Sequence, residues 1–263
     1  MILHHRLFEV AAGQHKPALV VLHGLYGQHG NWASHARALA EDFRVYAFDA
    51  RNHGQSPHAD SMTLAEMAQD VSDTMDALGL QQAHLLGHSM GGKIAMLLAL
   101  QQPQRVQSLV VVDIAPVAYT RGDVQVLQGL LALDPDTLSA RAEADAALAS
   151  YVHTPAVRDF LLTNLVKGAA GRFRWRLNLP VIARSFGEII GWPGVQGSYP
   201  GPVLFIRGAN SDYILPEHQP STLQLFPRAR LKTVQGAGHW VHSEKPDTFR
   251  KLARDFLLEV SHH

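Results

Sequence analysis

The sequence predicts an α/β fold with a doubly wound, mostly parallel β-sheet and helices on both of its faces. Short runs rich in β-branched residues alternate with longer segments of helical periodicity, a pattern typical of parallel strands joined by crossover helices. The chain has 263 residues, of which 46% are hydrophobic and 17% charged, so it can bury the core of one large domain.

The first half of the chain follows this pattern closely. Residues 18–24 (ALVVLHG) read as a buried strand, residues 31–43 as a helix, and a second strand begins at Arg44. The helix that starts near Thr63 is amphipathic, and we place Asp70 on its polar face. Two further strands, 83–87 (AHLLG) and 108–113 (SLVVVD), flank a helix that begins at Met90. These repeated strand and helix units predict the doubly wound sheet.

The pattern changes in the middle of the chain. Residues 117–200 contain helical stretches such as VQVLQGLLAL and SARAEADAALASYV without a buried strand between each pair. The strand and helix rhythm resumes at 202–208 (PVLFIRG), and it continues with a strand at 229–234 and a final amphipathic helix. We therefore predict a core formed by residues 1–116 and 201–263, and a mostly helical cap formed by residues 117–200.

Composition excludes several classes of function. Lys and Arg total 23, as do Asp and Glu, so no basic surface for nucleic acid or an anionic membrane is predicted, and a small molecule is the expected partner. The chain lacks cysteine, which rules out disulfides and thiolate catalysis. None of the 16 histidines lies in a metal-ligand motif, so we expect scattered surface histidines and no metal. Without a signal-like start or a membrane-length apolar run, a cytoplasmic location is expected.

One serine lies in a motif with a known mechanism. GHSMG (87–91) fits the G-x-S-x-G nucleophile elbow, and it lies between a predicted strand and a predicted helix, as that mechanism requires. The turn is so sharp that side chains two positions before and after Ser89 would crowd the sheet and the helix. The motif and its context predict that Ser89 is a nucleophile.

A serine hydroxyl needs a base to remove its proton. The segment GAGHWVHSEKP supplies His239 in a loop after the strand at 229–234, and small residues immediately before His239 give that loop room. His242 is the rival, although it begins the run toward the last helix. We favour His239.

Three aspartates, Asp49, Asp113 and Asp212, sit at or just past the ends of predicted strands. On a nucleophile elbow of this kind the acid follows the serine and precedes the histidine in the chain, which eliminates Asp49. We expect Asp49 to accept hydrogen bonds from backbone N–H groups of its own loop, DARNHGQS. The residue pattern leaves Asp113 and Asp212 both open as the partner of the base.

An acyl-transfer site also needs donors for the oxyanion that develops in the transition state. The backbone N–H of Met90, at the start of the helix after Ser89, is one candidate. The turn HGLYG (23–27), which follows the first buried strand, offers the N–H of Leu25 as the second.

The motifs HGLYG, DARNHGQS, GHSMGG, VVDIAP and GAGHWVHSEKP, in that order, resemble the α/β-hydrolase superfamily, and most closely its bacterial YbfF-type esterase branch. The resemblance implies an α/β-hydrolase fold with a helical cap inserted after the sixth strand. It also implies a Ser-His-Asp hydrolase of short- to medium-chain acyl esters or thioesters that uses no cofactor. Ser89 is then the nucleophile and His239 the base, and the branch points to Asp113 as the acid. The broader superfamily uses the position near Asp212.

Other chemistry on the same triad stays open. Carbon-carbon bond hydrolysis, perhydrolysis and acyl transfer use the same residues, and a hydrolase-like binding receptor is the non-enzyme alternative. In the cap, RFRWRLN (172–178) alternates apolar and basic residues. We interpret it as a half-buried extended segment, and its arginines could instead meet an anionic carrier such as the phosphates of coenzyme A.

Overall fold

The sheet observed in a computed structural model of the chain is mostly parallel, as predicted. The structure describes residues 1–10, 16–120, 124–168 and 171–261. Its strands are β1 (His5–Phe8), β2 (Ala18–Leu22), β3 (Arg44–Phe48), β4 (Ala83–His88), β5 (Val106–Val112), β6 (Leu165–Lys167), β7 (Phe173–Trp175), β8 (Val203–Gly208) and β9 (Ala229–Val234). Seven of them form one sheet in the order β1-β3-β2-β4-β5-β8-β9, in which β1 alone is antiparallel to its neighbour.

Helices cover both faces of this sheet. They are α1 (Ala33–Leu39), α2 (Leu64–Ala77), α3 (Met90–Gln101), α4 (Val124–Ala132), α5 (Arg141–Leu148), α6 (Pro155–Leu162), α7 (Leu179–Arg184), α8 (Phe186–Ile190), α9 (Gln219–Leu225), α10 (Val241–Glu244) and α11 (Pro246–Ser261). In none of the residues described is there a helix both long enough and apolar enough to cross a membrane.

Two hydrophobic clusters form the core, one on each face of the sheet. Alternate strand residues point to opposite faces, so Leu85 of β4 joins one cluster and Leu86 joins the other. Helices α2 and α3 cover the first face, whereas α1 and α11 cover the second. This double coverage explains why the central strands read as continuous apolar runs.

The helix α2 begins where its sequence predicts, but one residue on its polar face was placed wrongly. Thr63 caps the helix, since its hydroxyl accepts the Glu66 N–H at 3.2 Å while the Glu66 carboxylate accepts the Thr63 N–H at 2.9 Å. Asp70, predicted to be exposed, is buried. It accepts two hydrogen bonds from Arg51, at 2.6 and 2.9 Å, and forms an ion pair with the amino group of Met1 at 2.6 Å. Periodicity could not predict these partners, which come from distant segments.

The prediction that the histidines lie at the surface is wrong for several of them. Seven histidines are buried within the described residues: His23, His29, His35, His53, His84, His88 and His242. Neutral imidazoles can be buried when a ring nitrogen finds a backbone partner, as when His53 Nδ1 donates to the Arg51 carbonyl at 3.0 Å. Burial lowers the pKa of His53 to about 3 and that of His84 to about 4, which keeps both neutral.

Helices α4 to α8 and the hairpin β6-β7 lie in the chain between β5 and β8. The helices expected from VQVLQGLLAL and SARAEADAALASYV are α4 and α5, and the alternating segment RFRWRLN forms β7, with Phe173 buried and Arg174 exposed. The insertion follows the fifth strand of the described residues, so its placement after a sixth strand is wrong. In the described part of the chain one strand, β1, precedes β2 and forms the antiparallel edge against β3, so five strands come before the insertion.

Candidate active site

Ser89 lies at the turn between β4 and α3, in a strained backbone conformation. Its φ is 52° and its ψ is −118°, a region that non-glycine residues rarely occupy. A Cβ at Gly87 would overlap the backbone of Gly91, and a Cβ at Gly91 would overlap the Leu22 carbonyl. The two glycines of the motif are therefore required by close backbone contacts, and the turn lifts the Ser89 side chain above the carboxyl edge of the sheet.

Three sequence-predicted residues meet at this edge. His239 Nε2 lies 3.1 Å from Ser89 Oγ, and His239 Nδ1 lies 2.8 Å from Asp113 Oδ2. A carboxylate only accepts hydrogen bonds, so Nδ1 carries the proton and Nε2 is free to accept the serine proton. Ser89 follows β4, Asp113 follows β5 and His239 follows β9, all at the carboxyl ends of parallel strands.

The two candidate acids occupy different environments. Asp113 is fully buried, and besides His239 it accepts the Gly208 N–H at 2.9 Å and the Ser211 hydroxyl. Asp212, the residue after that serine, is exposed. The structure thus brings Asp113 to His239 and leaves Asp212 outside the cluster. Ser211 carries no sequence signal for this role, because its contact with Asp113 spans 98 residues.

Two aromatic rings contact the ring of His239. The Tyr213 ring stacks on it, with centroids 3.9 Å apart and an interplanar angle of 24°. The ring of His88, the residue before the serine, is tilted by 43° with its centroid 4.8 Å away. His242, the rival base, instead stacks on Trp32 at 4.4 Å, and burial lowers its pKa to about 3. Tyr213 and His88 carried no sequence signal that would distinguish them from ordinary loop and strand residues.

The predicted oxyanion donors are backbone groups of two segments, the start of α3 and the turn after β2. Met90 is the first residue of α3, so its N–H belongs to the first helical turn, where backbone donors have no intrahelical partner. Leu25 lies in the turn after β2, which the Gly27 N–H closes by donating to the Gly24 carbonyl at 2.9 Å. In the part of the chain that the structure describes, the Leu25 N–H donates no hydrogen bond. Leu25 and Ser89 together line both cavities at this site.

Ser89 lines two cavities. One has apolar walls from α6, including Val157 and Phe160, and from Trp240. The other is lined by Tyr119, by residues of α8 and by Lys93. An ester has an acyl and an alcohol part on opposite sides of its carbonyl carbon, so two cavities that meet at a nucleophile suit such a molecule.

Lys93 is the buried cation beside the second cavity. Its ammonium donates to the carbonyls of Ile190 and Gly191, each at 2.6 Å, and lies 4.7 Å from the centroid of the Tyr119 ring. Burial lowers the pKa of Lys93 to about 7. Through its two hydrogen bonds, Lys93 joins α3 to the end of α8 and the residue after it.

Asp49 lies away from the triad and fixes its own loop, as predicted. Its carboxylate accepts the Gln55 N–H at 2.9 Å and the His29 N–H at 2.6 Å. Its oxygens also lie 2.9 Å from His4 Nδ1 and 3.0 Å from His29 Nδ1. These three side chains offer ligand atoms within 4.8 Å of one another and could together hold a metal ion, which sequence spacing did not suggest.

Comparisons with known proteins show the family to which the chain belongs. A family model described as alpha/beta hydrolase fold matches residues 17–246. The chain is 45% identical over 249 residues to an sn-1-specific diacylglycerol lipase of Mus musculus, covering 92% of this chain and 81% of that protein. It is 38% identical over 251 residues to Esterase YbfF of Escherichia coli (strain K12), covering 95% and 96%. A solved structure titled "Marine microorganism esterase" matches with a TM-score of 0.93 and 36% identity, covering 97% and 99%.

Proposed function

The chain belongs to the α/β-hydrolase family and is a serine hydrolase of carboxylic esters, and from this premise we propose that Ser89, His239 and Asp113 are its catalytic triad. One observation carries the assignment. A single imidazole lies within hydrogen-bond distance of both the serine hydroxyl, at 3.1 Å, and a buried carboxylate, at 2.8 Å. This is the geometry that makes a serine hydroxyl nucleophilic.

In the proposed mechanism, His239 Nε2 takes the Ser89 proton as Oγ attacks the ester carbonyl carbon. The carbonyl oxygen becomes an oxyanion, which the N–H groups of Leu25 and Met90 stabilise. The imidazolium then protonates the departing alcohol as the carbon-oxygen bond breaks, which leaves an acyl group on Ser89. Water attacks this acyl-enzyme with His239 again as base, and the carboxylic acid and free Ser89 are released.

Asp113 keeps the imidazole in the productive tautomer and stabilises the imidazolium that forms twice in this cycle. Its burial supports this role, because a charge excluded from water interacts strongly with a cation at short range. The Ser211 hydroxyl and the Gly208 N–H use the other acceptor positions of the carboxylate and hold its orientation. Asp212 is not part of the proposal, since its side chain is exposed.

The proposal extends to the cap and to the substrate. Residues 117–200 form a cap over the core of residues 1–116 and 201–263, supported by the cavity-lining residues that α6 and α8 contribute. The substrate is a short- to medium-chain acyl ester, and the apolar cavity walls favour such acyl groups. A relative named for diacylglycerol makes glycerol esters a class to include in any assay. Acyl thioesters with the same acyl groups are the matched comparison for these oxygen esters.

The test compares the wild-type protein with Ser89→Ala on p-nitrophenyl esters from acetate to octanoate. We expect Ser89→Ala to lose nearly all activity, whereas Ser150→Ala, at an exposed serine of the cap, should retain it. Equal rates for wild type and Ser89→Ala would overturn the proposal. Matched oxygen esters, acyl thioesters and diacylglycerols then rank the substrate classes. Turnover of none of them would favour the other chemistries open to this triad or a binding role.

A further inference from the structure

Tyr26, the residue after the oxyanion donor Leu25, has a backbone conformation that needs support from outside its own turn. Its φ is 64°, in the left-handed region, and its side chain is buried. For a non-glycine residue this conformation costs on the order of 1–3 kcal/mol and persists only where the surroundings impose it. Both backbone polar groups of Tyr26 are held by side chains from elsewhere in the chain.

His53, in the loop after β3, holds the amide side. The Tyr26 N–H donates to His53 Nε2 at 3.1 Å, and His53 Nδ1 donates to the Arg51 carbonyl at 3.0 Å. These two contacts define the tautomer, because Nε2 must be the unprotonated nitrogen in order to accept. His53 is fully buried, so water does not compete for this contact.

Asn164, between α6 and β6, holds the carbonyl side. Its Nδ2 donates to the Tyr26 carbonyl at 2.7 Å and to the Leu161 carbonyl at 3.2 Å, and its side chain is fully buried. The Asn164 carbonyl also accepts the Arg176 N–H at 2.8 Å, which ties this position to the chain after β7. A side chain of the inserted segment therefore reaches the turn that carries Leu25.

We propose that His53 and Asn164 are positioning residues that hold the Leu25 N–H toward Ser89, so that the oxyanion site is complete only when the cap is seated. This inference rests on the proposed function, since it takes Leu25 as an oxyanion donor. It goes beyond the triad because it assigns a catalytic consequence to a contact between cap and core. The cap then controls the rate of the chemical step as well as the choice of substrate.

A purely structural role for these contacts makes a different prediction. If they only stabilise the fold, their loss lowers the melting temperature without a selective effect on the transition state. If they position an oxyanion donor, their loss reduces kcat and leaves KM nearly unchanged, because that donor acts mainly on the transition state. The two roles are therefore separable by ligands that do and do not carry an oxyanion.

The experiment compares Asn164→Ala and His53→Ala with Asn178→Ala. Asn178 is a matched control, since it also links the inserted segment to the core. Its Nδ2 donates to Asn52 Oδ1 at 3.0 Å and to the Ala59 carbonyl at 3.3 Å. One probe is a trifluoromethyl ketone, to which Ser89 Oγ adds to give a hemiketal oxyanion while His239 takes the serine proton. The other is the matched secondary alcohol, which forms no oxyanion.

We expect kcat to fall about 10- to 100-fold in Asn164→Ala and His53→Ala, somewhat less than the loss reported for complete removal of an oxyanion donor. The inhibition constant of the ketone should rise by the same factor, while that of the alcohol and the KM should change less than about twofold. Asn178→Ala should keep the wild-type kcat. Equal weakening of ketone and alcohol, or an unchanged kcat, would overturn the inference.

Asn164→Asp provides a second variant if Asn164→Ala fails to fold, because it keeps the side-chain shape and replaces the donor with an acceptor that faces the Tyr26 carbonyl. The same selective loss is expected, and its absence also overturns the inference. Failure of the proposed function is recognised separately. In that case Ser89→Ala is as active as the wild type, whereas failure of this inference alone leaves Ser89→Ala inactive and Asn164→Ala fully active.

Discussion

His88 donates a hydrogen bond from Nε2 to the backbone carbonyl of His239, at 2.9 Å. A carbonyl only accepts, so Nε2 carries the proton, and burial lowers the pKa of His88 well below its ordinary value. The residue that precedes Ser89 thus holds the loop that carries His239. The contact links β4 to the segment after β9, across 151 positions of the chain.

Replacing His88 should reduce both activity and stability. His88→Phe keeps an aromatic ring but leaves the His239 carbonyl without its donor, and we expect kcat to fall about tenfold at a similar KM. Leaving a partly buried carbonyl unsatisfied costs roughly 1–3 kcal/mol of unfolding free energy. Steady-state kinetics and urea unfolding measure the two effects.

His84→Phe is the control, because His84 is a buried histidine of the same strand whose Nδ1 contacts Ser108 at 2.7 Å, away from the site. It should lower stability and leave kcat unchanged. An equal loss of kcat in both variants would mean that His88 acts only through general stability.

The choice of acid gives a second prediction. Asp113→Asn should lower kcat roughly 10⁴-fold, by analogy with serine proteases, because the amide favours the wrong imidazole tautomer. Asp212→Asn should change kcat by less than about twofold, since the Asp212 side chain is exposed. Turnover of a p-nitrophenyl ester measures both. The reverse pattern would assign the role to Asp212.

Buried histidines predict that the protein loses stability in mild acid. The pKa values of His35 and His84 are lowered to about 4, and those of His53 and His242 to about 3, in each case mainly by burial. Below pH about 6.5 the unfolded chain binds protons at these sites and the folded chain does not, so the free energy of unfolding falls as the pH falls. Each site contributes a slope of up to about 1.4 kcal/mol per pH unit between its two pKa values.

The variant His242→Phe removes one of these sites while keeping a ring to stack on Trp32. Its unfolding free energy between pH 6 and 4.5 should decrease less steeply than that of the wild type. The difference in slope is about 1.4 kcal/mol per pH unit, which corresponds to one proton. His153→Gln, at an exposed histidine, should keep the wild-type slope. Identical slopes for wild type and His242→Phe would show that His242 is not buried in its neutral form.

The lowered pKa of Lys93 predicts a pH dependence of the same origin in the alkaline range. Its pKa is about 7 in the folded chain, against an ordinary value of 10.5, because its ammonium is buried. Between these values the unfolded chain binds a proton that the folded chain does not, so this group adds stability as the pH rises. Relative to Lys93→Met, the wild type should gain up to about 1.4 kcal/mol per pH unit from pH 7.5 to 9.5.

Chemical unfolding of both proteins across this range makes the measurement. Lys251→Met is the control, since that lysine is exposed and pairs with Asp255 in the last helix. A difference between wild type and Lys93→Met that does not vary with pH would contradict a lowered pKa of Lys93 in the folded chain.

Parts of the site that depend on local sequence were predictable. The positions of Ser89 and His239 follow from a strand, a sharp turn and the loop after the last strand, each specified within about ten residues. The structure places both side chains together, at 3.1 Å. The parallel sheet followed from the alternation of apolar runs and helical segments in the same way.

The remaining features depend on contacts between distant segments. Asp113 and Asp212 both follow strands that end at the same sheet edge, but Asp113 alone of the two is buried, where it accepts the Gly208 N–H and lies beside His239. Asp70 lies at a position that periodicity assigns to the polar face of α2. It is nevertheless buried, with its carboxylate hydrogen-bonded to Arg51. Asn164 is an unremarkable asparagine in the sequence, and its partner is 138 residues away.

The hydrogen bond from Asn164 to Tyr26 also limits how freely this protein can be recombined with its relatives. Exchanging the inserted segment between homologous enzymes is an attractive route to new substrate preferences, because that segment lines both cavities. A chimaera without an equivalent donor at this position would lose the hydrogen bond that Asn164 donates to the Tyr26 carbonyl. Libraries of such chimaeras should therefore retain the asparagine while the cavity-lining positions vary.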